Sequence, residues 1–294
     1  MLAAPTLEAL AAAHLDPVTV EVLAHRTVEE DLAGGVDVTS VATVPFDLEG
    51  TAAFVPRTAG VVAGIAVAMA CIDVVADDDV VYDLVRADGP AAAGETVLQV
   101  TGLVRTLLTA ERSALNLLCH LSGVATLTAR WVAAVEGTGA RIRDTRKTTP
   151  GLRALEKAAV VVGGGVNHRM SLSDAALVKD NHVVAAGGVT QAFEAVRREF
   201  PGLDVEVECD TVEQVADVVA AGADLVLLDN MSLEQMRAAV ELCKPKGVRT
   251  EASGGLTLDR ARAVAETGVD FLSVGALTHS APVLDLGLDL RLGG

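Results

Sequence analysis

Four apolar runs in the second half of this 294-residue chain begin at residues 204, 224, 248 and 270, and that 20- to 24-residue period constrains the fold more than any other feature. Amphipathic stretches at 190–200, 211–221, 232–243 and 257–267 lie between such runs, and Gly222 and Gly268 stand where helix C-caps fall. A strand, a helix and a turn repeated at this spacing describe parallel strands joined by crossover helices. The pattern extends back to strands at 140–144 and 176–179, with a further short strand expected near 160–164. An open doubly wound sheet and a closed barrel both satisfy such a pattern. No Gly-x-Gly-x-x-Gly turn follows a first strand, which favours the barrel. Residues 116–280 are therefore expected to form a (β/α) barrel, incomplete or open.

The first hundred residues follow another rule. A helix at 18–32 precedes short strands at 51–55, 80–85 and 96–100, with a helix near 65–76 between them. This predicts a separate α+β domain over residues 1–115, joined by the C-terminal tail 281–294. The stretch from Ala87 to Val100 has the look of a lipoyl or biotinyl carrier, but a carrier needs a lysine and the first one is Lys147. A long helix from about 107 to 135 links the two parts, with Leu107, Leu108, Ala114, Leu115, Leu118 and Leu121 as its apolar stripe. Arg112 lies on the flank of that stripe.

Charge narrows the partners. The net charge is −17 and aromatic residues are 2%, which excludes a basic, base-stacking nucleic-acid surface. No apolar run reaches the roughly 18 to 20 residues that cross a bilayer, and the first residues lack the basic start of a secretory signal, so a cytoplasmic protein is expected. The four cysteines have neither disulfide nor metal spacing. Within this acidic chain, residues 101–179 hold eleven basic groups against five acidic ones. A segment that concentrates cations suits an anionic ligand.

Barrel enzymes place their chemistry where strands end and the following loops begin. Those positions hold Arg146, Lys147, His168, Arg169 and Lys179, five groups able to clamp carboxylates and phosphates. Glu208 and Asp229, on successive strands, suit a hard cation such as Mg²⁺ held partly through substrate and water. Ser253-Gly254-Gly255 and Ser273-Val274-Gly275, after the last two strands, are expected to bare backbone N–H groups toward a phosphate. Each feature alone has an ordinary explanation: a solvated cation, a helix-capping carboxylate, a relieved turn. Their convergence on one rim is the signal.

The ordered series Thr145-Arg146-Lys147-Thr148, Gly163-Gly164-Gly165-Val166-Asn167-His168-Arg169, Lys179-Asp180-Asn181-His182, Leu227-Leu228-Asp229-Asn230, Ser253-Gly254-Gly255 and Val274-Gly275-Ala276 resembles the motifs of the quinolinate phosphoribosyltransferase family. Glu111-Arg112-x-Ala114-Leu115-Asn116 is similar as well. The N-terminal match is looser, with Val36 between Gly35 and Asp37, and Ala252 stands where the family often has serine. The resemblance implies transfer of phosphoribosyl from phosphoribosyl pyrophosphate to quinolinate, with loss of CO2, to give nicotinate mononucleotide and pyrophosphate. It implies Arg146, His168, Arg169 and Lys179 around quinolinate, Thr145 as a further substrate-binding residue, Lys147, Glu208, Asp229 and Mg²⁺ around the pyrophosphate, and a homodimer in which Arg112 enters the neighbouring subunit's site. Three other classes compete. A same-fold phosphoribosyltransferase-like protein of the kind associated with molybdate transport would not need the whole carboxylate clamp. A Schiff-base sugar-phosphate aldolase would use Lys179 as nucleophile, which calls for an apolar pocket, yet Asp180 adjoins it. A non-catalytic binding protein has no use for both the acid pair and the clamp.

Overall fold

The computed structural model describes residues 1–76 and 80–292. These form two compact units: residues 1–127, 154–163 and 280–292, and residues 128–153 with 164–279. The division expected at 115/116 falls instead at 127/128, further along the same long helix Val104–Ala134, and segment 154–163 leaves the barrel half for the first unit.

In the first unit, β1 (Glu49–Pro56), β2 (Gly60–Val62), β3 (Val81–Val85), β4 (Gly89–Ala91) and β5 (Leu98–Leu103) make an antiparallel sheet and a small β2–β4 ribbon. The sheet order is tail strand (Leu286–Leu292), β1, β5, β3, so the C-terminal tail pairs with the N-terminal half. The helix Pro17–Leu32 starts where the Asp16 carboxylate accepts the Thr19 N–H at 2.9 Å. The helix Ile65–Asp73 is buried along its whole length, as its nearly unbroken apolar sequence requires. Leu107, Ala114, Leu115, Leu118 and Leu121 of the long helix are buried as a stripe. The helix is long and apolar enough to cross a membrane by length and composition, but half of its apolar window is buried within the protein, as in a core helix. Gly123 lets the tail lie against it, because a Cβ there would collide with the Pro282 carbonyl.

The second unit is built on parallel strands β6 (Arg141–Arg143), β7 (Ala176–Val178), β8 (Val205–Cys209), β9 (Leu225–Asp229), β10 (Arg249–Ser253) and β11 (Phe271–Ser273). Their spatial order is β6-β11-β10-β9-β8-β7. A single parallel bridge between Arg143 and Val166 adds one more position beside β6. The sequence order is thus cyclic with one unpaired seam, between Val166 and β7: a (β/α) barrel left open. The strand expected near 160–164 does not form. Those residues end the helix Arg153–Val162, whose Leu155, Ala159 and Val160 are buried at helical rather than alternating spacing. Leu225, Val226, Leu227 and Leu228 of β9 are all buried, as in a parallel strand covered on both faces. The helices Val212–Ala220 and Leu233–Cys243 each begin with a reciprocal capping box, Thr211 with Gln214 and Ser232 with Gln235.

Candidate active site

The C-terminal strand ends of the second unit surround a cavity of about 500 Å³. Strand alternation sets two levels in it. Glu206 and Glu208 are two residues apart on β8, so both side chains leave the same face, Glu208 nearer the strand end. The register places Leu227 opposite Glu208 and Glu251, and Asp229 opposite Ser253.

The upper level is the rim. Lys179 Nζ lies 2.6 Å from Glu208 Oε2, with the lysine about half exposed and the glutamate 11% exposed. Loss of water, then the charges of Glu208 and Asp210, hold the Asp229 carboxyl above its usual range. The Asn230 amide donates to Asp229 Oδ2 at 2.6 Å. Asn230 takes a left-handed backbone (φ 51°), and its side chain fills the space a Cβ on Gly254 would need. Only glycine fits there, which explains that member of the Ser-Gly-Gly turn. On the β6 side, Thr145 Oγ1 accepts the Lys147 N–H at 3.0 Å, and the Lys147 carbonyl accepts the Thr278 hydroxyl at 2.7 Å. These bonds tie down the loop that carries Arg146 and Lys147 into the cavity lining. Arg146 Nε is buried and has no hydrogen-bond partner among the described residues.

The lower level is a buried charge cluster. Arg143 Nη1 lies 2.5 Å from Glu251 Oε2 and 4.0 Å from Glu206 Oε2. His168 Nε2 lies 2.8 Å from Glu206 Oε2 and 3.6 Å from Glu251 Oε1. The Ser273 hydroxyl donates to Glu251 in a very short bond. Burial, opposed by the Arg143, Arg169, Lys179 and Arg249 charges, pushes the Glu206 carboxyl up to about 7. Burial and then Glu206 itself push Glu251 upward. The His168 ring and the two carboxylates are close enough to share a metal ion. The Arg143 guanidinium already supplies a cation there.

Of the sequence candidates, Thr145, Arg146, Lys147, His168, Arg169, Lys179, Glu208, Asp229, Ser253, Gly254 and Ser273 all line the cavity. The structure qualifies four expectations. His168 is only 8% exposed at its side chain and its Nε2 faces Glu206, not the open cavity. The Val274 N–H is engaged by the Arg143 carbonyl at 2.9 Å and the Ser273 hydroxyl by Glu251, so that turn does not bare its first groups to a phosphate. Gly255 and Gly275 are not among the lining residues; Gly275 instead leaves room for the Lys147 side chain, since a Cβ would sit 3.0 Å from Lys147 Cδ. Arg112 is an exposed residue of the first unit, on the long helix.

Glu206 and Glu251 stand among the strand-end groups legible in the sequence but without a role, and Arg143 was not among the candidates. A signal existed: charged residues inside short, otherwise apolar strands are costly unless paired. Which strand's acid meets which strand's base, however, depends on the order β6-β11-β10-β9-β8.

Residues 37–122 match the family model described as quinolinate phosphoribosyl transferase, N-terminal domain, and residues 124–289 match the C-terminal domain of the same enzyme. The nicotinate-nucleotide pyrophosphorylase (carboxylating) of Mycobacterium leprae is 51% identical over 269 residues, covering 90% of this chain and 95% of that protein. A probable enzyme of the same name from Bacillus subtilis is 40% identical, covering 82% and 83%. Among solved structures, NadC from Streptococcus pyogenes superposes with a TM-score of 0.90 at 38% identity, covering 95% of this chain and 99% of that one. The nicotinate-nucleotide pyrophosphorylase of Francisella tularensis gives 0.89 at 35%, covering 94% and 98%.

Proposed function

This chain belongs to the quinolinate phosphoribosyltransferase family, and from that premise we infer that its cavity joins quinolinate to phosphoribosyl pyrophosphate and releases nicotinate mononucleotide, pyrophosphate and CO2. The observation that carries this reading is the Arg146 guanidinium, which lines the cavity with a buried Nε–H that has no acceptor among the described residues. A buried donor left without a partner calls for one, and a carboxylate is the acceptor that fits a guanidinium best. Arg169 and Lys179 line the same space. Burial and then the neighbouring Arg146 charge lower the Arg169 pKa. An anion between the two arginines would relieve that crowding.

The chemistry follows from positioning and charge. The pyridine nitrogen of quinolinate forms a bond to C1 of the ribose while the bond from C1 to the pyrophosphate oxygen breaks, its electron pair leaving with pyrophosphate. Arg146, Arg169 and Lys179 hold the two carboxylates so that the nitrogen faces C1, and Lys147 offsets charge growing on the leaving group. The bond from ring carbon 2 to its carboxylate then breaks. The electron pair stays on carbon 2, stabilised by the adjacent cationic nitrogen, and is taken up by a proton as CO2 departs.

Glu208 and Asp229 are the residues that would hold magnesium. Their carboxylates face one cavity, and the upward push on Asp229 from Glu208 and Asp210 is the repulsion a divalent cation would relieve. Magnesium, when bound, supplies positive charge to the departing pyrophosphate. Lys179 Nζ also lies 2.6 Å from Glu208 Oε2. The same pairing disfavours an aldolase, whose Schiff-base lysine needs an apolar wall rather than a carboxylate at 2.6 Å.

Purified protein given quinolinate, phosphoribosyl pyrophosphate and Mg²⁺ should release pyrophosphate and nicotinate mononucleotide in equal amounts. Absence of both products overturns the reading, and borohydride trapping of substrate on Lys179 would favour the aldolase instead. The active form is a cytoplasmic homodimer in which Arg112 serves the neighbouring site. Its support is the matching helix segment, the exposure of Arg112 and the four free cysteines, which a reducing compartment preserves. Arg112→Ala and Lys179→Ala proteins should each be nearly inactive. Co-refolded, they should regain about a quarter of wild-type activity, because random exchange gives one intact site in each mixed dimer. Mixed dimers, verified by mass, that stay inactive would remove Arg112 from the site.

A further inference from the structure

His168 stands in the family-like Gly163–Arg169 segment as one more cation for the substrate, but the hydrogen bonds around its ring describe a different job. The ring has two nitrogens, one in a hydrogen bond and the other facing two carboxylates. Nδ1 lies 2.7 Å from the backbone N–H of Arg169. An N–H must donate, so Nδ1 accepts and carries no proton. Nε2 lies 2.8 Å from Glu206 Oε2 and 3.6 Å from Glu251 Oε1, at ion-pair distance from both, so the one proton of the ring sits on Nε2 and faces the carboxylates. A ring protonated only at Nε2 is neutral.

Most neighbours of the ring are themselves held, while both Glu206 oxygens are buried without a hydrogen bond among the described residues. Glu251 is pinned by Arg143 at 2.5 Å and by the Ser273 hydroxyl. The guanidinium of Arg143 packs 4.9 Å from the centre of the Phe271 ring. The backbone N–H of His168 donates to Asp144 Oδ1 at 2.8 Å, and Asp144 is fully buried. Charged groups facing His168 include Asp144, Glu206 and Glu251 against Arg143, with Arg169 the next residue in the chain. Arg169 is fixed at two points: its amide by the His168 ring, and its guanidinium by the Ala175 carbonyl at 2.9 Å.

We propose that His168 is a neutral positioning residue, its Nε2–H facing the Glu206–Glu251–Arg143 cluster and its Nδ1 holding the Arg169 amide, so that it aims the Arg169 guanidinium into the cavity and contributes no positive charge to the substrate. The charge that meets the quinolinate carboxylates then comes from Arg146, Arg169 and Lys179. This inference rests on the assignment of Arg169 to the substrate, and the test separates the two.

The direct measurement is a long-range ¹H–¹⁵N correlation on full-length protein labelled at its histidine ring nitrogens, with the His168 signals identified by their loss in His168→Asn. With and without quinolinate, Nδ1 should resonate as an unprotonated, pyridine-type nitrogen and Nε2 as a protonated, pyrrole-type one. An imidazolium with quinolinate bound, or a proton on Nδ1, overturns the proposal, and the measurement is made on the wild-type fold.

Kinetics give a second arm. Asparagine places Oδ1 where Nδ1 stood. His168→Asn should therefore keep KM for quinolinate within about threefold of wild type, while His168→Ala should raise it about tenfold, the effect of one hydrogen bond to a charged group's anchor. Equal impairment of the two variants would mean that the ring acts on the substrate itself. Arg169→Gln tests the premise separately: unchanged quinolinate binding there would overturn the cavity assignment while leaving the state of the ring as the spectra record it.

Discussion

The rim and the floor of the cavity are built from the same residue types and treat them in opposite ways. On the rim, Lys179 and Glu208 pair at 2.6 Å with the lysine half in water. On the floor, Arg143 and Glu251 pair at 2.5 Å with the glutamate fully buried. Two positions along one strand separate Glu208 from Glu206. A wet pair exchanges partners at little cost, because water replaces whatever a ligand displaces. A buried pair cannot, because breaking it strands a charge in a poor solvent. The rim is therefore where ligands can compete for charged groups, and the floor is what keeps those groups in place.

The largest expected effect lies on the floor. Arg143→Met leaves Glu206 and Glu251 without their guanidinium and should destabilise the fold by about 3 to 5 kcal/mol. Lys179→Ala, the matching change on the rim, should cost under about 1 kcal/mol while abolishing turnover. Denaturant melts of the two variants compare the regions directly, and equal losses of stability would erase the distinction.

Next in size is the choice of acceptor. Nicotinate lacks the 2-carboxylate and forgoes one charge-assisted contact with the rim cations, so its kcat/KM should fall about one to two decades below that of quinolinate. Comparable values would mean that Arg146, Arg169 and Lys179 do not clamp two carboxylates.

The acid pair sharpens the picture of an exchangeable rim. Glu208→Gln and Asp229→Asn should each raise the Mg²⁺ concentration for half-maximal turnover by about tenfold, as expected for one lost charge-assisted contact. Quinolinate binding without phosphoribosyl pyrophosphate should stay near wild type. Normal turnover of both variants at limiting Mg²⁺ would place the metal elsewhere.

The smallest effect concerns the exposed loop after Arg169. Burial pushes the Asp174 carboxyl up, but hydrogen bonds from the Met170 and Ser171 amides and the Ser171 hydroxyl outweigh it and bring it to about 2. Its folded pKa is depressed, so its contribution is present above its ordinary value of 3.8 and lost as pH falls through about 2. Asp174→Asn should speed exchange of the Met170 and Ser171 amides at pH 6 and change nothing at pH 1.5. Because the group is exposed, the stability change at pH 6 should stay under about 1 kcal/mol. Equal protection in wild type and variant at pH 6 would show the loop to be held by other contacts.

Much of this was legible in the residues alone. The 20- to 24-residue period, the capping pairs Thr211–Gln214 and Ser232–Gln235, and Gly222 and Gly268 past their helices are local signals, and local physics honours them. Strand-end chemistry was legible for the same reason: a residue at the C-terminal end of a parallel strand faces the same rim wherever its strand sits. The segment 160–164 misled because an apolar run of that length suits a strand or a buried helix turn, and only packing decides between them.

What the sequence could not determine is which distant residues meet. Arg143, His168, Glu206 and Glu251 come from four separate segments, and nothing in any one of them names its partners. Their meeting depends on the order of strands around the open barrel and on a register in which a shift of one residue would turn each side chain to the opposite face. His168 therefore read as a loop cation from its neighbours in the chain. Its tertiary neighbours make it a hydrogen-bonded neutral ring, because the state of a titratable group is set by the dielectric and partners around it, and those exist only once the strands are side by side.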